Sequence, residues 1–179
     1  MNKSDLRKIF LQKRQSLSEA DWQRKSNQIC EHLTRSSLFQ SANTVLSFCS
    51  FRQEPDLSPL LSVSKNWGLP RCVDRSLVWH QWTPKIPLQQ GAFGILEPPL
   101  CSPVVTPDQV DLMLVPCVAC DRSGYRLGYG GGFYDRLFAQ PEWNKPTIGI
   151  LFEFEMIERL AIDAWDKPLM AVCTEAGLR

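Results

Sequence analysis

The densest chemical signal of the chain lies in residues 124–136, which read Gly-Tyr-Arg-Leu-Gly-Tyr-Gly-Gly-Gly-Phe-Tyr-Asp-Arg and hold half of its 10 glycines. Glycine has no Cβ, so successive N–H groups can turn toward one point and admit an anion such as phosphate. From Phe133 onward the residues can begin a helix, whose free N–H groups would face the same anion. Arg126 and Arg136 add positive charge suited to phosphate, and Asp135 adds a hard oxygen donor suited to magnesium. This glycine-rich loop, residues 124–136, is therefore predicted to bind phosphate.

The common nucleotide signatures do not describe the glycine-rich loop. The chain contains no Gly-Lys-Ser or Gly-Lys-Thr, which excludes the P-loop pattern. The dinucleotide pattern would need glycine at Phe133 if it began at Gly128, or at Asp135 if it began at Gly130. A plain turn or a linker is the alternative, but linkers are rarely flanked by Arg, Tyr and Asp after a strand-like run. The sequence therefore favours a non-standard phosphate-binding loop.

Residues 126–136 resemble the signature of the 5-formyltetrahydrofolate cyclo-ligases, also called methenyltetrahydrofolate synthetases. The resemblance extends over nearly the whole chain. The other matching motifs are Lys3, Arg7, Arg14 and Leu17-Ser18 near the amino terminus, Glu54, Leu69-Pro70-Arg71 and Phe93-Gly94-Ile95-Leu96-Glu97-Pro98 in the middle, and the strand-like runs 111–116 and 147–149.

The resemblance implies an ATP-dependent closure of 5-formyltetrahydrofolate to 5,10-methenyltetrahydrofolate, with release of ADP and phosphate and with Mg²⁺ as cofactor. A formamide oxygen is a poor leaving group, and transfer of the γ-phosphoryl group would convert it into a phosphate. N10 of the folate could then attack the activated carbon. Such an enzyme needs no covalent nucleophile, because its task is to align two substrates and neutralise the moving phosphoryl group.

The resemblance also implies roles for individual residues. The expected ATP-binding residues lie at the amino terminus and in the glycine-rich loop: Lys3, Arg7, Arg126, Leu127, Gly128, Tyr129, Gly130, Gly131, Gly132, Phe133, Tyr134 and Asp135. Arg126 and Tyr134 are the expected catalytic residues. The expected folate-binding residues are Glu54, Phe93 and Tyr134, and the expected metal ligands are Asp135 and Asp166.

Several of these roles have alternatives. Lys3 and Arg7 lie four residues apart, so on a helix they project from one side, and without the resemblance they would be read as a solvated basic surface. Asp166 has Asp163 as a competitor, because this segment has Trp165 where the family commonly has His. The family also commonly has Asp at Met170.

For other residues in the middle of the chain, the sequence leaves two roles open. Arg71 could attract the glutamate tail of a folate or form a structural ion pair. Glu97 could anchor a loop or contact the substrate. Trp79 and Trp82 are read as core or cover residues rather than as a pterin wall.

Composition fits a single enzyme domain over residues 1–179. A net charge of +1 gives no overall attraction to nucleic acid or membranes, and 22% charged with 44% hydrophobic residues argues against disorder. The start of the chain lacks an apolar stretch of signal-peptide length, and no span approaches the roughly 20 apolar residues of a membrane helix. The seven cysteines, an odd number, favour reduced thiols in a cytoplasm. Cys117 and Cys120 could be a redox pair or half a zinc site, but buried thiols are the favoured reading.

Helical and strand-like runs alternate along the chain. Helical spacing links Leu6, Phe10 and Arg14, and Ser18 to Asp21 resembles a capping box that opens a second helix ending near Arg35. Strands are expected at 44–49, 69–73, 77–82, 111–115, 147–152 and 171–174, with a short helix near 60–65 and a loop-rich segment at 83–107. This order predicts an α/β three-layer sandwich, whose parallel or mixed central sheet is covered by helices on both faces. Ligands in such folds gather at the carboxyl ends of strands, where the glycine-rich loop would lie.

Two other functions stay open. A sugar-phosphate isomerase or coenzyme A transferase on the same fold would use a phosphate loop without ATP hydrolysis. A non-catalytic module for nucleotides or RNA would use a basic helical patch at Lys3, Arg7, Lys8, Lys13 and Arg14, although Asp5 interrupts it. We expect small-molecule substrates, no nucleic-acid or membrane partner, and a monomer.

Overall fold

The strands and helices follow the alternation that the sequence predicts. The computed structural model describes residues 2–179. Within this range the strands are β1 (Thr44–Leu46), β2 (Asn66–Val73), β3 (Ser76–Trp82), β4 (Gln89–Gln90), β5 (Leu96–Glu97), β6 (Leu112–Pro116), β7 (Ala119–Asp121), β8 (Arg126–Leu127), β9 (Thr147–Ile150), β10 (Met156–Ile157), β11 (Ala171–Thr174) and β12 (Gly177–Leu178). The α-helices of the same range are α1 (Lys3–Gln15), α2 (Glu19–Arg35), α3 (Ser37–Ser41) and α4 (Phe133–Phe138). Its 3₁₀ helices are Ser58–Ser62, Ala92–Gly94, Pro107–Gln109, Pro141–Trp143 and Glu153–Glu155.

The main sheet has seven strands in the order β12-β11-β9-β6-β1-β2-β3. Its five inner strands are parallel, and β3 and β12 pair antiparallel at the edges. The chain runs from β1 to β2 on one side and later adds β6 on the other side of β1, so the strand order reverses between β1 and β6. A crevice forms at the carboxyl ends of strands at such a reversal, and ligands of α/β proteins bind there.

Helices cover both faces of this sheet because its central strands are apolar on both sides. Leu112 and Leu114 of β6 pack with α2, α3 and the 3₁₀ helix Ser58–Ser62 on one face. Met113 and Val115 point to the other face, where they pack in one cluster with Leu137 of α4. The prediction of an α/β fold with a mostly parallel sheet covered on both faces is confirmed.

Helix α1 packs on a smaller sheet instead of on the main one. The strands β10, β7 and β8 form this sheet, and Phe10 of α1 shares a buried cluster with Val118, Ala119 and Leu127. Strand β8 leads directly into the glycines at 128–132, so the cluster fixes α1 beside the glycine-rich loop.

The start of α2 lies where the sequence places it. Ser18 caps the helix, and its Oγ accepts a hydrogen bond from the Asp21 N–H at 3.1 Å. The Asp21 carboxylate accepts from the Ser18 hydroxyl at 2.9 Å instead of reaching the cap's backbone N–H, because aspartate is one methylene shorter than the glutamate of a full capping box.

Some boundaries differ from the sequence prediction. Strand β1 ends at Leu46 instead of residue 49, and the short helix near 60–65 is the 3₁₀ helix Ser58–Ser62, which begins where Pro59 favours a first turn. The loop-rich segment 83–107 contains the β4–β5 pair.

Trp79 lies in the core and Trp82 packs against it, as expected. Cys117 and Cys120 are both buried. No helix within residues 2–179 combines the length and apolar character needed to cross a membrane.

Candidate active site

A cavity of about 390 Å³ opens at the strand reversal between β1 and β6. Phe48, just beyond β1, and Pro116, at the end of β6, lie in its wall. The structure brings every residue of the predicted site to this one cavity: Lys3, Arg7, Glu54, Phe93, Arg126, Leu127, Gly128, Tyr129, Gly130, Gly131, Gly132, Phe133, Tyr134, Asp135 and Asp166. Residues from five separate parts of the sequence therefore meet in one place.

The glycine-rich loop presents free backbone donors. The N–H groups of residues 128–132 donate no hydrogen bond to any partner among residues 2–179. Gly130 and Gly132 have φ angles of 98° and 69°, in the left-handed region that glycine adopts without strain. A Cβ on Gly130 would lie 3.4 Å from the Arg7 guanidinium carbon, so this glycine also admits a close cation. Free N–H groups in such a turn are the donors that a phosphate requires.

Helix α1 brings two cations to this loop. Arg7 Nε donates to the Gly128 carbonyl oxygen at 2.7 Å, and this bond ties α1 to the glycine-rich loop. Lys3 Nζ lies 3.0 Å from Asp166 Oδ2 and 2.6 Å from Asp163 Oδ2. Both cations line the cavity, and this position favours a role in the predicted site over a solvated basic surface.

Arg126 lies under the loop with its side chain 7% exposed. It forms an ion pair with Asp135, and its guanidinium lies 5.2 Å from the ring centre of Tyr134. Burial raises the pKa of the Tyr134 hydroxyl, while the positive charge of Arg126 opposes that rise. Tyr134 therefore remains a neutral hydrogen-bond donor at physiological pH.

The two predicted metal carboxylates each hold one cation and keep one free oxygen. Asp135 uses Oδ1 for Arg126, and Asp166 uses Oδ2 for Lys3 and for the Asp163 N–H. Asp135 Oδ2 and Asp166 Oδ1 have no hydrogen-bond partner within residues 2–179. Asp163, whose side chain is 47% exposed, does not line the cavity, so the geometry favours Asp166 over Asp163 as a ligand.

Glu54 is the buried carboxylate of the cavity, with 4% of its surface exposed. Its Oε2 accepts a hydrogen bond from the Phe51 N–H at 3.0 Å, and its Oε1 lies 3.9 Å from Arg14 Nη1. Burial raises the pKa of Glu54 to about 7, and the charge of Arg14 opposes the rise. Arg52 and Gln53, just before it, both have positive φ angles, at 49° and 54°. Two left-handed residues in a row hold a strained turn, and such strain is concentrated at functional sites.

The remaining wall is mostly apolar. Phe93, between β4 and β5, is 69% exposed and meets Phe133 edge to face, with ring centres 6.1 Å apart. Cys49 and Cys72 also line the cavity as thiols, and burial raises the pKa of Cys49 to about 11. An apolar slot with one buried carboxylate suits a flat, partly polar ring.

Arg71 forms a structural ion pair. Its guanidinium donates to the Pro98 carbonyl oxygen and lies 3.6 Å from Glu97 Oε2. Glu97 also accepts from the Cys72 N–H at 2.9 Å, so it anchors the loop before Pro98 while one side of it borders the cavity. Of the two readings of Arg71, the structure favours the ion pair.

Sequence reasoning missed one buried polar network beside the cavity. Arg14 is completely buried and contacts Glu155, the Tyr129 hydroxyl and the Cys117 carbonyl oxygen. The sequence did carry a signal, because the helical spacing put Arg14 on the same apolar stripe as Phe10. A charge on a buried stripe needs a partner, although the sequence does not show which one.

Comparison with known proteins agrees with the geometry. The model of the 5-formyltetrahydrofolate cyclo-ligase family matches residues 1–175. The Escherichia coli K12 5-formyltetrahydrofolate cyclo-ligase is 31% identical over 175 residues, which cover 93% of this chain and 96% of that protein. The Mycolicibacterium smegmatis 5-formyltetrahydrofolate cyclo-ligase is 31% identical over 184 residues, which cover 97% of this chain and 93% of that protein. The NMR structure of Aquifex aeolicus 5,10-methenyltetrahydrofolate synthetase superposes with a TM-score of 0.88 at 38% identity, over 100% of this chain and 92% of that chain. With a family match over nearly its whole length and a cavity built from the family's motifs, the chain belongs to the 5-formyltetrahydrofolate cyclo-ligase family.

Proposed function

We propose that the protein catalyses the ATP-dependent cyclisation of 5-formyltetrahydrofolate to 5,10-methenyltetrahydrofolate, with release of ADP and phosphate. The observation that carries this proposal is the shared cavity, whose lining includes free loop N–H groups, two cations and a buried carboxylate. Phosphates suit the N–H groups and the cations, and a pterin ring suits the buried carboxylate. The activity that family membership gives the chain therefore has a site of matching chemistry.

The phosphate end of the cavity would hold ATP. Loop N–H groups from Gly128 to Gly132 would donate to phosphate oxygens, and Lys3 and Arg7 would neutralise their charge. Arg126 would do so from beneath the loop, after exchanging part of its contact with Asp135. Helix α4 has only six residues, so the loop N–H groups and the side-chain cations would contribute more than its dipole.

The donor set fits a magnesium ion bound together with ATP. The free oxygens of Asp135 and Asp166 are hard ligands, and phosphate oxygens and water would complete the shell. No group of three or more His, Cys, Asp or Glu residues spaced for a metal occurs within residues 2–179, so two carboxylates are the protein's share. Magnesium bound there would offset the negative charge of the phosphates.

At the folate end of the cavity, Glu54 would bind the pterin ring. Its carboxylate, when ionised, can accept two hydrogen bonds from pterin N–H groups, and its burial limits the water that would compete for them. Phe93 would cover the ring from the exposed side, and Tyr134 would lie between folate and nucleotide, where its hydroxyl can donate to an oxygen of either.

The reaction would then proceed by two displacements. The formyl oxygen attacks the γ-phosphorus, the bond to the bridging oxygen breaks, and ADP leaves. N10 attacks the activated formyl carbon, the carbon–oxygen bond breaks, and phosphate departs with the electron pair while N10 loses its proton. Arg126 and Tyr134 would stabilise the charge on the transferred group, and the cavity would hold both reactants in line.

The geometry gives no specific support to the other functions considered. The basic patch of an RNA module is divided, because Arg14 is buried and Lys3 and Arg7 line the cavity. An isomerase or coenzyme A transferase would not require ATP turnover, so the same assay separates it from the proposal.

One absorbance assay tests the proposal. We expect the purified protein to form methenyltetrahydrofolate from 5-formyltetrahydrofolate with ATP and Mg²⁺, and to form none when ATP is omitted. Absence of product with all three present would refute the function. Product without ATP would refute the phosphoryl-transfer mechanism.

We further propose a monomeric, single-domain cytoplasmic enzyme without nucleic-acid or membrane partners. All the residues assigned to the site line one cavity of a single chain, which supports action as a monomer. The seven cysteines are present as free thiols, which suits a reducing compartment.

A further inference from the structure

One helical stripe of α1 reaches from the mouth of the cavity into the core. Lys3, Arg7, Phe10 and Arg14 follow each other at intervals of four, three and four residues, which places them on one side of the helix. Lys3 and Arg7 line the cavity, Phe10 packs in the core, and Arg14 is 0% exposed. A fully buried guanidinium requires compensation by partners of its own.

One edge of the Arg14 guanidinium is anchored away from the cavity. Its Nε donates to Glu155 Oε1 at 2.7 Å, and its Nη2 lies 2.6 Å from the same oxygen. Nη2 also donates to the Cys117 carbonyl oxygen at 2.6 Å. These bonds fix the plane and the orientation of the side chain.

The other edge of Arg14 meets the active site. Its Nη1 donates to the Tyr129 hydroxyl at 3.2 Å and lies 3.9 Å from Glu54 Oε1. The Tyr129 hydroxyl in turn donates to the Phe51 carbonyl oxygen at 3.4 Å, and the two rings lie 6.2 Å apart. One nitrogen thus contacts a residue of the glycine-rich loop and the carboxylate proposed to bind the pterin.

We infer that Arg14 is a positioning residue, whose Nη1 holds the Glu54 carboxylate and the Tyr129 hydroxyl next to each other in the wall of the cavity. The inference rests on the proposed function, because Glu54 and the loop are assigned there to the two substrates. It adds that one buried side chain sets the geometry of both substrate sites. Arg14 itself is fully buried and does not line the cavity, so it would act only through these two residues.

The fork of arginine is what this role requires. Lysine keeps the charge but offers a single nitrogen, so it cannot bond Glu155 and Cys117 on one edge and reach Tyr129 with the other. Arg14→Lys therefore removes the positioning while leaving Glu155 with a cation. Tyr129→Phe removes the hydroxyl that Nη1 contacts, together with its bond to the Phe51 carbonyl oxygen. Lys8→Gln removes a cation from the exposed side of the same helix as a control.

Steady-state kinetics of the complete protein test this inference. We expect Arg14→Lys to raise KM for 5-formyltetrahydrofolate at least tenfold and to raise KM for ATP by a smaller factor. Both KM values of Lys8→Gln should stay within twofold of the wild type. In the double variant Arg14→Lys/Tyr129→Phe, the increase in KM should be smaller than the product of the two single-variant increases. The reason is that both substitutions remove the contact between Arg14 Nη1 and the Tyr129 hydroxyl. KM values within twofold of wild type for Arg14→Lys, or fully multiplicative effects, would overturn the inference.

A second measurement does not depend on turnover. The Phe51 N–H donates to Glu54 Oε2 and the Glu54 N–H donates to the Phe51 carbonyl oxygen, so both amides are protected from exchange. Amide hydrogen exchange of residues 51–54 should be faster in Arg14→Lys than in the wild type, while α2 and the main sheet stay equally protected. Equal exchange of residues 51–54 in the two proteins would contradict the positioning role even if the wild type were inactive. An inactive wild type would instead refute the proposed function, so the two failures are distinguishable.

Discussion

The carboxylate of Glu54 lies in surroundings that make its ionisation sensitive to pH near neutrality. It is buried and 3.9 Å from Arg14, and its pKa is raised to about 7 because burial outweighs the attraction of that cation. Only the ionised form can accept two hydrogen bonds from pterin N–H groups. Substrate binding should therefore weaken as pH falls through 7.

A pH series tests this role. We expect kcat/KM for 5-formyltetrahydrofolate to fall about tenfold per pH unit below the pKa of Glu54. Glu54→Gln should lower kcat/KM by about 100-fold at pH 8 and remove most of this acid dependence, because the amide does not titrate. An acid limb that persists unchanged in Glu54→Gln would assign it to another group.

Asp166 is predicted to be the magnesium carboxylate of the carboxyl-terminal segment. It lines the cavity and keeps Oδ1 free, whereas Asp163 lies outside the wall. Asp166→Asn should raise the magnesium concentration for half-maximal rate about tenfold, because an amide oxygen is the weaker ligand. Asp163→Asn serves as the matched control, since it removes the other carboxylate that contacts Lys3. An unchanged magnesium requirement in Asp166→Asn would rule out direct coordination by this residue.

Helix α1 closes the site with its first two turns and packs in the core with the rest. Lys3 and Arg7 meet the cavity, whereas Phe10 lies in a buried cluster with β7 and β8. Deleting residues 1–8 should therefore abolish ATP-dependent turnover and leave a cooperatively unfolding core. The deletion also removes the hydrogen bond from Arg7 to the Gly128 carbonyl, so the glycine-rich loop should become more mobile.

Activity and thermal unfolding of the truncated chain check this division of α1. The substitutions Lys3→Gln and Arg7→Gln, made together in the full-length chain, give a finer version that keeps the helix. Full turnover after the truncation would refute the assignment of these cations to ATP. Loss of cooperative unfolding would show that the first two turns also stabilise the core.

The sequence predicts its elements better than the contacts between them. Helical spacing and the Ser18 cap define α1 and α2, because these signals are local. The partners of Arg14 are not local, since Glu155 is 141 residues away. Glu54 and Asp166 were recognised only through the family resemblance, because an isolated carboxylate has no periodicity that marks its function. The sequence predicts strand β1 too long: the Ser47 N–H still bonds to the Gly68 carbonyl oxygen of β2, but Phe48 and Cys49 leave the sheet and line the cavity.

At the scale of the whole molecule, the parallel sheet determines where these parts meet. The reversal between β1 and β6 opens the crevice, and the chain then supplies its walls from α1, from the turn before Glu54 and from the glycine-rich loop. Because each wall comes from a different part of the sequence, the site forms only in the complete fold. Its buried charges should consequently affect the stability of the whole molecule.

The buried charges should make the protein less stable as pH rises. Two carboxylates, Glu54 and Glu155, surround the single guanidinium of Arg14, and burial raises the pKa of each to about 7, above the ordinary value of 4.5. Between these two values the folded protein binds more protons than the unfolded chain. The free energy of unfolding must then be highest below pH 4.5 as far as these groups are concerned, and must fall as pH rises through 7.

Urea unfolding at pH 5.5 and pH 8 measures this effect. We expect the wild type to lose about 2 kcal/mol of unfolding free energy for each of the two carboxylates over this interval, or about 4 kcal/mol together. Glu54→Gln should lose less unfolding free energy over the same interval, because only Glu155 remains to titrate beside Arg14. As a control, Glu31→Gln on the exposed surface of α2 should lose as much as the wild type. Glu54→Gln could also be more stable than the wild type at pH 8 while nearly inactive. That result would show that Glu54 serves substrate binding at a cost in stability, a trade-off that is common at functional sites. An identical pH slope in Glu54→Gln and wild type would show that Glu54 does not titrate in this range, and it would contradict the acid limb predicted for catalysis as well.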